Sequence, residues 1–264
     1  MSQLSVKKVS AGYGKQNVIE NISFNLDAGT LMGIIGANGS GKTTLLKALC
    51  GILPHQGTCT LEDFALEELP VKQLAKLVSY IPQRSGISID ISALDVVLMG
   101  FNPHLGLLEY PTGKMKDAAI RALNEVGLSG KEETNYLHLS EGQKQLCILA
   151  RTLVSDSKLL LLDEPESALD FCFRHQMLSL LRRWVASRER SAIVTLHDPA
   201  LALNFCDKLL LLSEGGILDI IEPKADSLDK MEQMLSMVYG SVSLQRCYNR
   251  KGEAQIVMLR EDSV

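Results

Sequence analysis

The spacing of apolar and polar positions divides the chain into three textures. Over residues 4–9 and 18–26 apolar side chains recur at close to every second position, the period of a strand covered on one face. Between them a stretch containing Gly12 and Gly14 predicts a turn. Leu31–Ile35 is a short apolar run between glycines, too short for a helix, and predicts a buried strand. It feeds a glycine-rich loop and a helical pattern over residues 43–49 that stops at Gly51. Residues 57–61 and 77–82 predict two further strands, with a short helix over 71–76.

From about residue 84 to residue 155 helical periodicity replaces the strand pattern, at 94–99, 115–126 and 143–154. Strands return at 158–163, 192–196 and 208–212, separated by helices at 171–187 and Pro199–Phe205. Strands alternating with helices imply a mostly parallel sheet covered on both faces, here with a helical block inserted into an α/β core. After Gly216 the pattern weakens to a helix over 228–238 and a strand over 255–259. The expected organisation is one domain over 1–264. Its core spans 1–84 and 156–216, its helical subdomain 85–155, and its C-terminal extension 217–264.

Composition narrows the class. A chain of 264 residues, 46% apolar and 22% charged, can build a core without disulfides. A net charge of −4 lacks the basic footprint of a nucleic-acid partner. The six cysteines form no CxxC pair and no Cys/His cluster at zinc spacing, and are expected to be buried and reduced. The opening MSQLSVKKVSAGYGKQ has no apolar leader, and no run approaches the roughly 18 apolar residues of a membrane span. The expected location is cytoplasmic, with any link to a membrane made through another protein.

The chemistry begins at Gly36-Ala37-Asn38-Gly39-Ser40-Gly41-Lys42-Thr43, which fits G-x-x-x-x-G-K-[ST] between a strand and a helix. Glycines let the backbone turn several N–H groups towards one phosphate chain, and the helix start adds its positive end. Lys42 can reach the β- and γ-phosphates and the Thr43 hydroxyl can ligate Mg²⁺, with Thr44 beside it in the first turn. Chance produces such a string in roughly one chain in a hundred of this length. The motif therefore points to a nucleoside triphosphate.

A second site residue pair follows the run Leu159–Asp163, whose four leucines fit a strand buried on both faces. Its carboxyl end is where an open α/β sheet binds ligand. Asp163 can hold the metal's water shell, and Glu164 can polarise an attacking water as general base.

About 100 residues beyond the phosphate loop, Leu139-Ser140-Glu141-Gly142-Gln143 opens a helix. A serine cap followed by an exposed helix start forms a second anion site. This pentapeptide, with LLLLDEPESALD and the His197-Asp198 of TLHDPA, resembles the ATP-binding-cassette ATPases over essentially the whole chain to about Gly216. The resemblance implies a phosphate-loop (RecA-like) α/β core with an N-terminal antiparallel β subdomain and an inserted α-helical subdomain. It also implies a head-to-tail homodimer in which Ser140, Gly142 and Gln143 of one chain close on ATP held by the other.

The same resemblance assigns further positions. Tyr13 corresponds to the aromatic that stacks on adenine, and Gln83 to the glutamine that contacts Mg²⁺ and the attacking water. Asp170 lies in the dimer-contact loop Ser167-Ala168-Leu169-Asp170, and His197 corresponds to the histidine that contacts the γ-phosphate. The chain departs from the family pattern at Glu141, where glycine is usual, and at Glu166, where threonine is usual. A charge about 8 Å from a phosphate would cost roughly 2 kcal/mol at an effective dielectric near 20. Glu141 is therefore expected to face solvent, where an acid in a first helical turn is favourable. Glu166 is expected to have little consequence for the chemistry.

The string Gly100-Phe101-Asn102-Pro103-His104 is similar to one common in the importers of iron–siderophore complexes, haem and cobalamin, with Phe101 in place of an arginine. The implied partners are an integral-membrane permease, whose coupling helix sits beside Gln83, and a substrate-binding protein. The implied position is the cytoplasmic face of the cell membrane.

Overall fold

The computed structural model describes residues 2–83, 86–106, 108–186 and 189–261. The expected core boundary at 84–85 and the expected helix end at residue 187 lie outside the described residues.

Strands β1 (Ser2–Tyr13) and β2 (Gln16–Asp27) pair antiparallel, and β1 also pairs with β4 (His55–Leu61), which carries the short β5 (Phe64–Ala65). The second sheet contains β3 (Leu31–Ile35), β6 (Val78–Ile81), β7 (Leu159–Asp163), β8 (Ser191–Thr195), β9 (Lys208–Ser213) and β10 (Gly216–Ile221). Its order is β10-β9-β3-β8-β7-β6, parallel throughout except for β10.

Consecutive side chains of a strand point to opposite faces, and the leucine run uses both. Leu159 and Leu161 join Met32, Ile34 and Ile193 in a core shared with helix α1 (Lys42–Leu49) and the antiparallel sheet. Leu160 and Leu162 join Leu31, Ala192 and Val194 in the core on the other face. That second core takes in α3 (Ala93–Leu98), α4 (Gly113–Glu125), α5 (Glu141–Leu153), α6 (Phe171–Ala186) and α7 (Pro199–Phe205). The helix α2 (Val71–Leu77) leads straight into β6.

Several expected boundaries move. β1 continues through Gly12 to Tyr13, so the turn is only Gly14-Lys15, because Gly12 still pairs with Asn17 in the ladder. β6 starts at Val78 because Leu77 completes the last turn of α2. The tail is more ordered than its weak pattern suggests. β10 begins at Gly216 and extends the main sheet, so a boundary at 216/217 falls inside a strand. Beyond it lie α8 (Leu228–Tyr239) and the hairpin of β11 (Val242–Tyr248) and β12 (Ala254–Arg260). Asn204 on α7 bonds both the N–H and the carbonyl of Ile256, fastening that hairpin to the core.

Parallel register brings the carboxyl ends of four strands to one edge. Asp163 lies opposite Thr195, Leu162 opposite Ile81, and Ile34 opposite Thr195. The phosphate loop, Gln83, Asp163 and His197 thereby leave the sheet on the same side. Leu161 is fully buried beneath that edge. Leu161→Ala should cost about 2–5 kcal/mol of stability, read as a lowered urea midpoint with an unchanged slope.

Candidate functional site

The loop after β3 turns back on itself through positive-φ glycines, Gly39 and Gly41, before α1 begins. At Gly36 a Cβ would come within 2.1 Å of the Leu212 carbonyl oxygen, so only glycine fits there. No side chain caps α1, which leaves its first N–H groups for an anion. Lys42 donates from Nζ to the carbonyls of Gly36 (2.8 Å) and Ala37 (3.0 Å), folding its charge into the loop. Burial holds the Lys42 ammonium below the usual lysine range, and the charges of Glu164 and Asp163 work against that shift.

Asp163 is the best-tied group of the site, at 2% exposure. Its Oδ1 accepts from Thr43 Oγ1 and from Thr195 Oγ1, both at 3.0 Å, and its Oδ2 accepts from Tyr80 Oη at 3.2 Å. Thr195 Oγ1 in turn accepts the Glu164 backbone N–H at 2.8 Å. That bond supports Glu164 at φ 48°, a left-handed conformation that costs a non-glycine residue about 1–3 kcal/mol. Glu164 Oε2 accepts from Gln83 Nε2 and lies 2.7 Å from His197 Nε2. Glu164 also lines a hollow with Val18, Asn38, Gly39, Gly41, Lys42, Thr43 and Thr44. A carboxylate held there, with an amide and an imidazole beside it, can accept a proton from a water attacking along the phosphate loop.

The structure therefore brings Lys42, Thr43, Thr44, Asp163, Glu164, Gln83 and His197 together. Ala37 offers its carbonyl to Lys42 and accepts from Ser40 N, while the Ser40 side chain is buried. Tyr13 ends β1 half-exposed. Asp170 caps the start of α6, accepting from Phe173 N at 2.9 Å.

Ser140, Gly142 and Gln143 stand apart from that hollow. Ser140 caps α5 in a capping box, with Gln143 N–H donating to Ser140 Oγ and Ser140 N–H donating to Gln143 Oε1. The Gln143 side chain is thus committed to shaping the helix start. Gly142 lies where a Cβ would sit 3.2 Å from the Ala168 carbonyl, against the loop that ends at Asp170. Glu141 points outward at 79% side-chain exposure and pairs with Lys144 at 2.8 Å.

Four residues belong to the site that the motifs did not indicate. Tyr80 and Thr195 supply two of the hydroxyls on Asp163. The signal for Thr195 is a polar residue closing the apolar run 192–194 of its strand. Gln145 on α5 donates to the Gln83 carbonyl at 2.8 Å, joining the helical block to the loop that carries Gln83.

The fourth is Glu166, whose role is structural. Its side chain is 3% exposed and accepts the His197 backbone N–H at 3.0 Å through Oε1. Oε2 is buried with no hydrogen-bond partner among the described residues. Burial pushes the Glu166 carboxyl above the usual range, against the pull of the His197 N–H.

A sheet edge that joins a phosphate loop to a carboxylate-ended strand defines the phosphate-loop nucleotide hydrolases. The ABC transporter family matches residues 19–167, and the chain belongs to that family as an ATP-binding, ATP-hydrolysing subunit. It is 35% identical over 213 residues to a probable iron chelatin transport ATP-binding protein of Helicobacter pylori, covering 80% of this chain and 84% of that one. It is 35% identical over 260 residues to the hemin import ATP-binding protein HmuV of Pseudomonas fluorescens, covering 92% and 95%. A solved structure of a metal-chelate type ABC transporter facing inward superposes with a TM-score of 0.82 at 28% identity, over 99% of both chains.

The raised Glu166 carboxyl has a consequence for stability. The folded state holds that proton more tightly than the unfolded chain, so this group subtracts stability as pH rises through its unfolded value towards its folded one. Glu166→Gln keeps the acceptor for His197 N–H and removes the ionisation. Its melting temperature should exceed the wild type's at pH 8 and converge with it near pH 4, by scanning calorimetry across that range.

Proposed function

We propose that this chain powers the import of a metal chelate of the iron–siderophore, haem or cobalamin type. Likeness to a haemin-import ATPase along 92% of the chain carries this reading. The chain would sit at the cytoplasmic face of the membrane, attached to a permease that a substrate-binding protein loads from the other side. No described helix is long and apolar enough to cross a membrane itself.

In this reading the phosphate loop, Gly36 to Thr44, binds the triphosphate, with Tyr13 stacked on adenine. The donors near Asp163 suit Mg²⁺, a hard cation that takes oxygen ligands. Thr43 Oγ1 and Asp163 Oδ1 lie 3.0 Å apart, close to the roughly 2.9 Å edge of an octahedron of oxygens at 2.0–2.1 Å. Thr43, Asp163 and the Gln83 amide would hold the ion, partly through water. The ion supplies charge neutralisation on the phosphate oxygens.

Glu164 takes the proton of the attacking water, Gln83 orients that water, and His197 contacts the γ-phosphate. Two copies pair head to tail, each placing Ser140 and Gly142 on the other's triphosphate while Asp170 lies in the contact loop. A coupling helix of the permease docks in the hollow lined by Gln83, Gly86, Ile87, Lys144 and Gln145. Gln145 connects that hollow to Gln83, and Gln83 to Glu164, so docking reaches the base through two hydrogen bonds.

Glu164→Gln should leave ATP binding intact and lower steady-state hydrolysis about 10²-fold or more. Undiminished turnover would remove Glu164 from the role of base. Glu141→Gly, losing an exposed acid already paired with Lys144, should change turnover by no more than about twofold. Deleting this chain from its source cell should abolish uptake of one of three labelled ligands: haem, a ferric siderophore or cobalamin. Retention of all three overturns the import reading.

A further inference from the structure

A cluster of three chemically different donors lies outside the nucleotide site, in the antiparallel sheet. His55 Nε2 is 3.0 Å from Glu67 Oε1 and 3.7 Å from Cys59 Sγ, and all three donor atoms fall within 4.8 Å of one another. In an extended strand, residues four apart stand roughly 13 Å apart. His55 and Cys59 meet because β4 kinks between them. Gly57 adopts φ 88°, and the pairing of β1 with β4 slips between Lys7 and Ser10. A Cβ at Gly57 would lie 2.4 Å from the Lys8 carbonyl oxygen, so the kink requires glycine. Glu67 comes from the 3₁₀ turn Leu66–Glu68, and its Oε1 also accepts the Cys59 backbone N–H. The carboxylate is thus pinned over the thiol.

We propose that His55, Cys59 and Glu67 form a binding site for a divalent transition ion of the zinc class. Tetrahedral zinc with bonds of about 2.3 Å to sulfur and 2.0–2.1 Å to nitrogen and oxygen separates sulfur from nitrogen by about 3.6 Å and nitrogen from oxygen by about 3.3 Å. The observed 3.7 Å and 3.0 Å lie close to those edges. A thiolate, a neutral imidazole and a carboxylate together balance a dication, so the filled site carries no net charge. Thiolate and imidazole select Zn²⁺, Co²⁺ or Fe²⁺ over Mg²⁺ and Ca²⁺, which take oxygen.

The site is shielded on one side and approachable on the other. Cys59 is fully buried and the His55 side chain is 7% exposed, whereas Glu67 is 28% exposed. Without the ion, burial and then the Glu67 charge push the Cys59 thiol up to about 12, so binding must release that proton. Three protein donors leave a fourth position for an exchangeable ligand. His55 also lines a hollow with Gly12, Tyr13, Leu53 and Pro54, which places the site next to the aromatic assigned to adenine. The site does not depend on what the transporter carries.

The test uses the full chain, reduced, stripped of metal and kept in excess Mg²⁺, titrated with Co²⁺ as the probe. One equivalent should bind with a thiolate-to-cobalt charge-transfer absorption, and Zn²⁺ should displace it. Cys59→Ser should abolish the band. Glu67→Gln, at a partly exposed position, should fold and bind at least about tenfold more weakly. The double variant Cys172→Ser, Cys247→Ser removes the two exposed thiols and should bind like the wild type. A wild-type protein without the band, or a band that survives Cys59→Ser or disappears in the double variant, overturns the assignment.

Discussion

The site depends on one carboxylate. Asp163 sits where the fully buried strand β7 runs out, and accepts hydroxyl protons from three different elements: α1 through Thr43, β6 through Tyr80 and β8 through Thr195. A carboxylate this buried needs such donors, because leaving it unpaired away from water is expensive. The same bonds fix the phosphate loop against the end of the sheet. Thr195 passes the constraint on by taking the Glu164 N–H, so the strained backbone at Glu164 is supported by the group that holds Asp163.

How far the sequence discloses this arrangement depends on the range of the interaction. The strand Leu31–Ile35 and the helix Pro199–Phe205 are legible because period and flanking residues are local signals. The leucine run is legible for the same reason, and its neighbours in the two cores confirm that both faces are covered. Boundaries slip where tertiary pairing decides them: Gly12 stays in its ladder, and β10 becomes a sheet edge although its residues are only partly covered. β11 leaves little trace because only Val242 and Leu244 at its start are buried.

The motif residues of the site are legible because their chemistry needs fixed spacing along the chain. Their supports are not. Tyr80 stands 83 residues from Asp163, and Gln145 stands 62 residues from Gln83. The spacing of His55 and Cys59 matches no zinc pattern, since only the kink at Gly57 brings them into contact. The expectation of buried cysteines holds for Cys59, Cys147 and Cys206, but Cys172 and Cys247 are exposed.

Glu166 shows most clearly what a local reading leaves out. As a letter in the turn after β7 it is a substitution of one polar residue by another. In the fold it is a buried acid tied to the backbone at His197, and removing it would leave that part-buried N–H without its acceptor, at a cost of about 1–3 kcal/mol. Its position explains what it contributes. The ends of β7 and β8 are cross-linked on both sides, by Asp163 and the Glu164 N–H to Thr195 on one and by Glu166 to the His197 N–H on the other. The first link fixes the strand end that carries Glu164. The second fixes the loop whose imidazole lies 2.7 Å from that same carboxylate. Both partners in the Glu164–His197 contact are therefore set by their backbones, so the contact does not rely on two free side chains finding each other.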